Sequence, residues 1–133
     1  ISMSQIAEPY IRRRAERHLQ KKRIVIFAAG TGNPFFSTDT AATLRASELE
    51  CNLIIKATKV NGIYDSDPIK NPKAKLLRKI SYNDVINKNL KVMDLTAISL
   101  AKDTNIPIYI TNIFKPNSLI NVLNQKGSYS RIS

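Results

Sequence analysis

Six consecutive apolar residues, Ile24-Val25-Ile26-Phe27-Ala28-Ala29, run directly into Gly30-Thr31-Gly32-Asn33-Pro34-Phe35-Phe36-Ser37-Thr38-Asp39-Thr40. An uninterrupted apolar run of that length predicts a strand buried on both faces. Ala41 to Leu49 reads as a helix, with Ser37 or Thr38 placed to cap its N-terminus. A buried strand, a tight glycine turn and a helix start together make an anion site. The glycines let backbone N–H groups approach a ligand, and the helix start adds unpaired donors and a positive dipole end. Asn33 supplies an amide that both donates and accepts, which suits the edge of a base. A bare Gly-x-Gly is a weak signal; the full eleven-residue string is a specific one.

The rest of the chain alternates helix and strand. Glu8 to Gln20 reads as a helix with Pro9 in its first turn, a narrow apolar stripe (Ile11, Ala15, His18, Leu19) and an arginine-rich opposite face. Asn52 to Lys56 is a second strand, and the Asn61-Gly62 dipeptide between apolar residues is a turn signal. Asp65 to Pro72 reads as a loop and Lys75 to Leu77 as a short extended piece. Ser81-Tyr82-Asn83-Asp84 opens a helix with a capping box. A helix over Asp94 to Asp103, a third strand at Pro107 to Ile110 and a last helix capped by Asn117 or Ser118 follow. The tail from Gly127 reads as frayed. This order predicts a parallel-dominated α/β sheet whose ligands lie beyond the carboxyl ends of the strands. The Gly30 loop and the Lys56 segment both follow strand ends, so both are expected to reach one crevice.

Charge needs a decision. The 133 residues hold 21 Lys and Arg against 10 Asp and Glu, a net charge of +11. The basic residues fall at Arg12 to Arg23 and Lys70 to Lys91, without the interleaved aromatics of a nucleic-acid surface. They read as a solvated helix face and a lysine-rich loop, which can also steer anionic nucleotides. No apolar run approaches a membrane span, and the first ten residues have no secretory core. Lone Cys51 cannot form an internal disulfide and reads as a core filler. Ile1 is not an initiator, so the chain is expected to begin inside a longer polypeptide.

Three motifs in order, Gly30 to Thr40, Lys56-Ala57-Thr58-Lys59-Val60-Asn61-Gly62-Ile63-Tyr64 and Leu90-Lys91-Val92-Met93-Asp94, resemble the bacterial-type UMP kinases of the amino-acid-kinase fold family. The resemblance runs from about Glu8 to Val122. It implies a three-layer αβα sandwich of the amino-acid-kinase type, of which residues 1–133 form the C-terminal, nucleotide-recognising part. Thr31, Gly32, Asn33, Pro34, Phe35, Phe36, Ser37 and Thr38 correspond to the UMP-binding string, with Ser37 where threonine is more usual. One of the two phenylalanines is expected in the core. Lys56, Thr58, Tyr64 and Asp67 correspond to the ATP side, Tyr64 offering a face to the base and Asp67 an acceptor to the ribose. Lys59 is a weaker phosphate contact, and Asn61 replaces a more usual aspartate.

By its position alone Asp39 stabilises a helix dipole; the resemblance makes it catalytic, orienting the positive groups that grip the transferring phosphoryl. Asp94 reads locally as an N-cap, and the resemblance makes it a catalytic or magnesium-linked residue. The family implies Mg²⁺ brought with ATP, UMP and ATP as partners, and assembly as a homo-hexamer. It implies a cytoplasmic location, or a plastid-type organelle in a eukaryote.

Phosphoryl transfer is a matter of positioning and of charge stabilisation. The four glycines, Gly30, Gly32, Gly62 and Gly127, form no G-x-x-x-x-G-K-[ST] loop. Such kinases carry their lysine-bearing glycine loops ahead of the region present here, so the phosphate grip is expected elsewhere and this chain alone is expected to be inactive. The rival reading is a non-catalytic nucleotide- or nucleic-acid-binding module. Against a sister kinase acting on a carboxylate or carbamate stands the Asn33 to Phe36 string.

Overall fold

The computed structural model describes residues 4–133. In chain order its elements are α1 (Arg12–Gln20), α2 (Thr38–Glu48), β1 (Ile54–Thr58), β2 (Ile63–Tyr64), β3 (Leu76–Leu77), β4 (Lys79–Ile80), α3 (Tyr82–Asn87), α4 (Leu95–Asp103), β5 (Ile108–Asn112), α5 (Ser118–Leu123) and β6 (Tyr129–Ile132). Four strands form one sheet in the order β1-β5-β6-β4, and β2 and β3 form a separate antiparallel pair. β1 runs parallel to β5 and β4 parallel to β6, while β5 and β6 are antiparallel. The class is α/β with a mostly parallel sheet, as the alternation predicts.

Period-two alternation sorts the sheet into two faces. Ile54, Ile80, Ile108, Ile110 and Ile132 point to one face and pack with Ala46 of α2, Val85 of α3 and Ile98 and Ala101 of α4. Tyr109 and Tyr129 point to the other and meet Val122 of α5, with Leu53 and Ile55 alongside. Helices thus lie on both sides of the sheet. Cys51 packs at the edge of the first cluster, the filler its sequence suggests. Among the described residues, no helix is long and apolar enough to cross a membrane.

Local signals place the helix starts well. Ser37 accepts a hydrogen bond from Thr40 N, and Ser81 accepts one from Asp84 N. Each such cap contributes about 1 kcal/mol. Helix α1 begins at Arg12 rather than at Glu8, so Pro9 lies ahead of it, and Ala15 alone of its stripe is buried.

Two expectations fail outright. Residues 24–29 are not a buried strand: they enter no ladder of the sheet, and Ile24 and Ile26 are 95% and 88% exposed. An apolar run becomes a strand only where neighbours accept its backbone groups. Among the described residues β1, β5, β6 and β4 form the sheet without it. Nor is the tail frayed. Tyr129–Ile132 is threaded between β5 and β4, with Ile132 and Ser130 fully buried. Burying the Ile132 side chain alone is worth about 1.5–3 kcal/mol.

Candidate functional site

A partly buried group of charges lies where α2, β1 and the start of α4 converge. Thr38–Glu48 is helical because Ser37 caps it, and this puts Asp39 in the first turn, where the dipole favours an anion. From the middle of β1, Lys56 Nζ donates to Asp39 Oδ2 at 2.9 Å and to the carbonyl of Val92 at 2.8 Å. Both side chains are about three-quarters buried, with 27% and 22% exposure, so the pair is screened less than a surface ion pair. Asp94 N donates to the same Asp39 oxygen at 3.4 Å. Asp94 occupies the N-cap position of α4, yet its carboxylate makes no capping bond. It is exposed at the mouth of a cleft of ≈ 400 Å³ lined also by Asp39, Lys56, Leu90 and Met93.

Asp39, Lys56 and Asp94 are therefore brought together, from positions 17 and 55 residues apart in the case of Asp39 with each of the others. The Val92 carbonyl is a ligand of Lys56 that side-chain reasoning does not find, because any residue carries the same group. Among the described residues, no group of three His, Cys, Asp or Glu side chains is arranged to hold a metal ion.

The glycine string occupies a second cleft, of ≈ 340 Å³, between the start of α1 and residues 25–32. Gly30 and Gly32 have φ +61° and +73°, with Ala29 at +67° before them. Left-handed backbone at these positions is of the kind found in turns that present N–H groups to an anion. Asn33 N donates to Thr31 Oγ1 at 3.1 Å, which holds the turn. Asn33, Pro34, Phe35 and Phe36 are exposed. The expectation that one phenylalanine packs in the core fails, since Phe35 is fully exposed and Phe36 about half exposed. Phe35 sits at φ +67°, and nothing apolar covers that turn. Gly30 and Lys56 thus line different clefts, joined through Ser37, Thr38 and Asp39 at the head of α2.

In the wall of the glycine-string cleft, Tyr10 donates to Glu48, and Arg45 lies 3.8 Å over the Tyr10 ring while paired to Glu48. Burial pushes the Tyr10 hydroxyl above its ordinary pKa, and the hydrogen bond to Glu48 adds to this. Burial also pushes the Glu48 carboxyl up, but hydrogen bonds from Tyr10 and Arg45 outweigh it and hold the carboxyl below its usual value.

Of the residues expected on the ATP side, Lys56 belongs to the Asp39 cluster, whereas Thr58 and Tyr64 end β1 and β2 and Asp67 lies in the loop beyond. Thr58 closes β1 opposite Asn112 of β5. Tyr64 follows the turn at Gly62 and accepts a hydrogen bond from Asn61 Nδ2 at 3.3 Å. Asp67 Oδ1 accepts from Ile69 N at 2.9 Å, the turn-forming bond of its own loop, and the residue is exposed. Lys59 is exposed as well.

Comparison with known proteins gives a consistent result. The amino acid kinase family model matches residues 4–112. Proteins named uridylate kinase are 58% identical over 133 residues in Sulfurimonas denitrificans and 54% identical over 132 residues in Roseobacter denitrificans. Those matches cover 100% and 99% of this chain but only 56% and 54% of the relatives. The crystal structure of UMP kinase from Ureaplasma parvum superimposes with a TM-score of 0.94 at 38% identity, over 100% of this chain and 57% of that one. For UMP kinase from Bacillus anthracis the values are 0.92, 39%, 100% and 55%. The chain spans a little over half the length of the curated relatives it matches.

Proposed function

The chain belongs to the amino acid kinase family, and on that premise we propose that it is the nucleotide-recognising part of a UMP kinase, which transfers the γ-phosphoryl group of ATP to UMP to give ADP and UDP. The observation that carries this reading is Lys56 held between Asp39 and the Val92 carbonyl at the head of the helix that follows the Gly30–Thr40 string. A lysine so fixed is an oriented cation where phosphoryl charge develops, and preorganised charge is usually the largest contribution to such a rate. Asp39 acts on Lys56 and not on the phosphate, which its own charge would repel. Gly30 to Thr38 offers UMP a concave backbone, with the Asn33 amide toward the base. Thr58 and Tyr64 serve ATP, with Asp67 reaching the ribose.

Mg²⁺ enters with ATP as part of the substrate and neutralises charge on its phosphate oxygens. It is usually held by one or two carboxylates together with the phosphates themselves. Asp94 suits it, because its carboxylate makes no capping bond, and Asp39 is a second oxygen donor in the same cleft. Assembly as a homo-hexamer belongs to the same reading and rests on the family likeness.

Titration tests the proposal. Saturable binding of UMP and ATP that tolerates salt, and UDP formation by a protein carrying the complete kinase domain, are the expected results. Binding to any oligonucleotide that falls steeply with salt would instead make this a basic nucleic-acid module. The 133-residue chain on its own should form no measurable UDP. Lys56 is one donor, and losing even one such donor typically costs about a hundredfold, whereas the lysine-bearing glycine loop is not in this sequence.

A further inference from the structure

Two asparagines that the reading above leaves without a role form a directed chain of hydrogen bonds. Asn112 ends β5, and its Oδ1 accepts from Phe114 N at 3.0 Å. A backbone N–H can only donate, so this bond fixes which way the Asn112 amide faces. Its Nδ2 then points to Asn61, whose Oδ1 accepts at 3.2 Å. That contact fixes the second amide in turn, and Asn61 Nδ2 donates to the Tyr64 hydroxyl at 3.3 Å. The Tyr64 oxygen is therefore an acceptor from inside the protein. Its own O–H makes no other hydrogen bond among the described residues.

We propose that Asn112 is a positioning residue which, through Asn61, fixes the Tyr64 hydroxyl as a donor toward an acceptor atom on the base or ribose of a purine nucleoside triphosphate. This rests on the reading of Tyr64 as an ATP-side residue. The polarity of the chain, set by a backbone N–H at its far end, is what gives it a consequence beyond packing. Were either amide reversed, Tyr64 would donate inward and present only lone pairs to the ligand. The β1–β5 register puts Asn112 opposite Thr58, so the relay starts at the same pair of strand ends that carry the other ATP-side residue.

The test uses a protein carrying the complete kinase domain. Asn112→Asp keeps the acceptor for Phe114 N and removes the donor to Asn61, whose amide then flips and consumes the Tyr64 hydroxyl. The KM for ATP should rise by about three- to tenfold, the loss of one hydrogen bond, with the KM for UMP and the thermal midpoint unchanged. Tyr64→Phe should produce the same rise, and the double variant no further rise, because both remove one interaction. Should Asn112→Asp fail to fold, Tyr64→Phe alone decides the matter, since it removes only the hydroxyl and keeps the ring: an unchanged ATP KM there overturns the relay. An unchanged ATP KM, a joint rise in both Michaelis constants with a lowered midpoint, or additive effects in the double variant would overturn the relay. Absence of ATP binding in the unsubstituted protein would overturn the reading of the site itself.

Discussion

Gly62→Ala should be among the most damaging single-methyl additions available to this protein. Gly62 is buried at φ +154°, a backbone conformation that side-chain-bearing residues rarely adopt. A Cβ there would sit 2.5 Å from Ser130 Oγ, 2.9 Å from Leu76 Cδ1 and 3.0 Å from Ser130 N. The Leu76 methyl can swing aside, but Ser130 cannot. Ser130 is fully buried, and its hydroxyl accepts from Ile63 N at 2.8 Å and donates to the Leu77 carbonyl, tying the β2–β3 pair to β6. The backbone conformation costs about 1–3 kcal/mol once a Cβ is present. Displacing the Ser130 hydroxyl leaves a buried N–H unpaired, for roughly another 1–3 kcal/mol. The sum, about 2–6 kcal/mol, is a large share of a typical domain's 5–15 kcal/mol. Urea unfolding followed by circular dichroism measures it. Ser130→Ala combined with Gly62→Ala should cost less than the two singles added, because the worst contact is removed once. A Gly62→Ala protein within about 0.5 kcal/mol of the parent, a change ordinary for surface positions, would refute the claim that this junction is closed.

Three further outcomes are expected. Asn33→Ala, in a protein with the complete domain, should raise the KM for UMP while leaving that for ATP unchanged; a joint rise would show that the string does not serve the acceptor. Lys56→Met should lower kcat by about a hundredfold or more with smaller changes in both Michaelis constants, and stopped-time assays of UDP formation would settle it. For Glu48, whose folded carboxyl lies below its ordinary value of 4.5 despite burial, the associated stability is present above that value and is lost as pH falls through the lowered one. Thermal midpoints taken on either side of it should therefore fall less with acidification in Glu48→Gln than in the parent.

The parts of this fold that were legible in the sequence are those that one turn of chain decides. Ser37 and Ser81 announce their helices because the capping bond spans only three residues. Strands β1 and β5 are legible because both are apolar and flanked by turn residues. Ile24–Ala29 shows the opposite case: its composition says strand, but a ladder partner is a property of the whole sheet. Tyr129–Ile132 is missed for the same reason, since its short Tyr-Ser-Arg-Ile alternation gains meaning only between β5 and β4. In the site, the types and order of Asp39, Lys56 and Asp94 were readable from their motifs. Their meeting was not, because it depends on α2 and α4 crossing the same face of the sheet. The Val92 carbonyl and Asn112 carry no local signal at all.

The central position of β6 has a consequence for how the protein is made. β4 emerges from the ribosome before β6 and cannot yet join the sheet, because the strand it must lie beside is about 50 residues further on. At roughly 5–20 residues per second that interval is on the order of 3–10 s, long compared with helix or hairpin formation, which takes microseconds. Throughout it Ile80 stands without its neighbour, and once β5 has been made its free edge does too. The nascent protein must therefore wait, half-assembled, with its sheet open in the middle, and a ribosome paused within those residues would hold it in that vulnerable form.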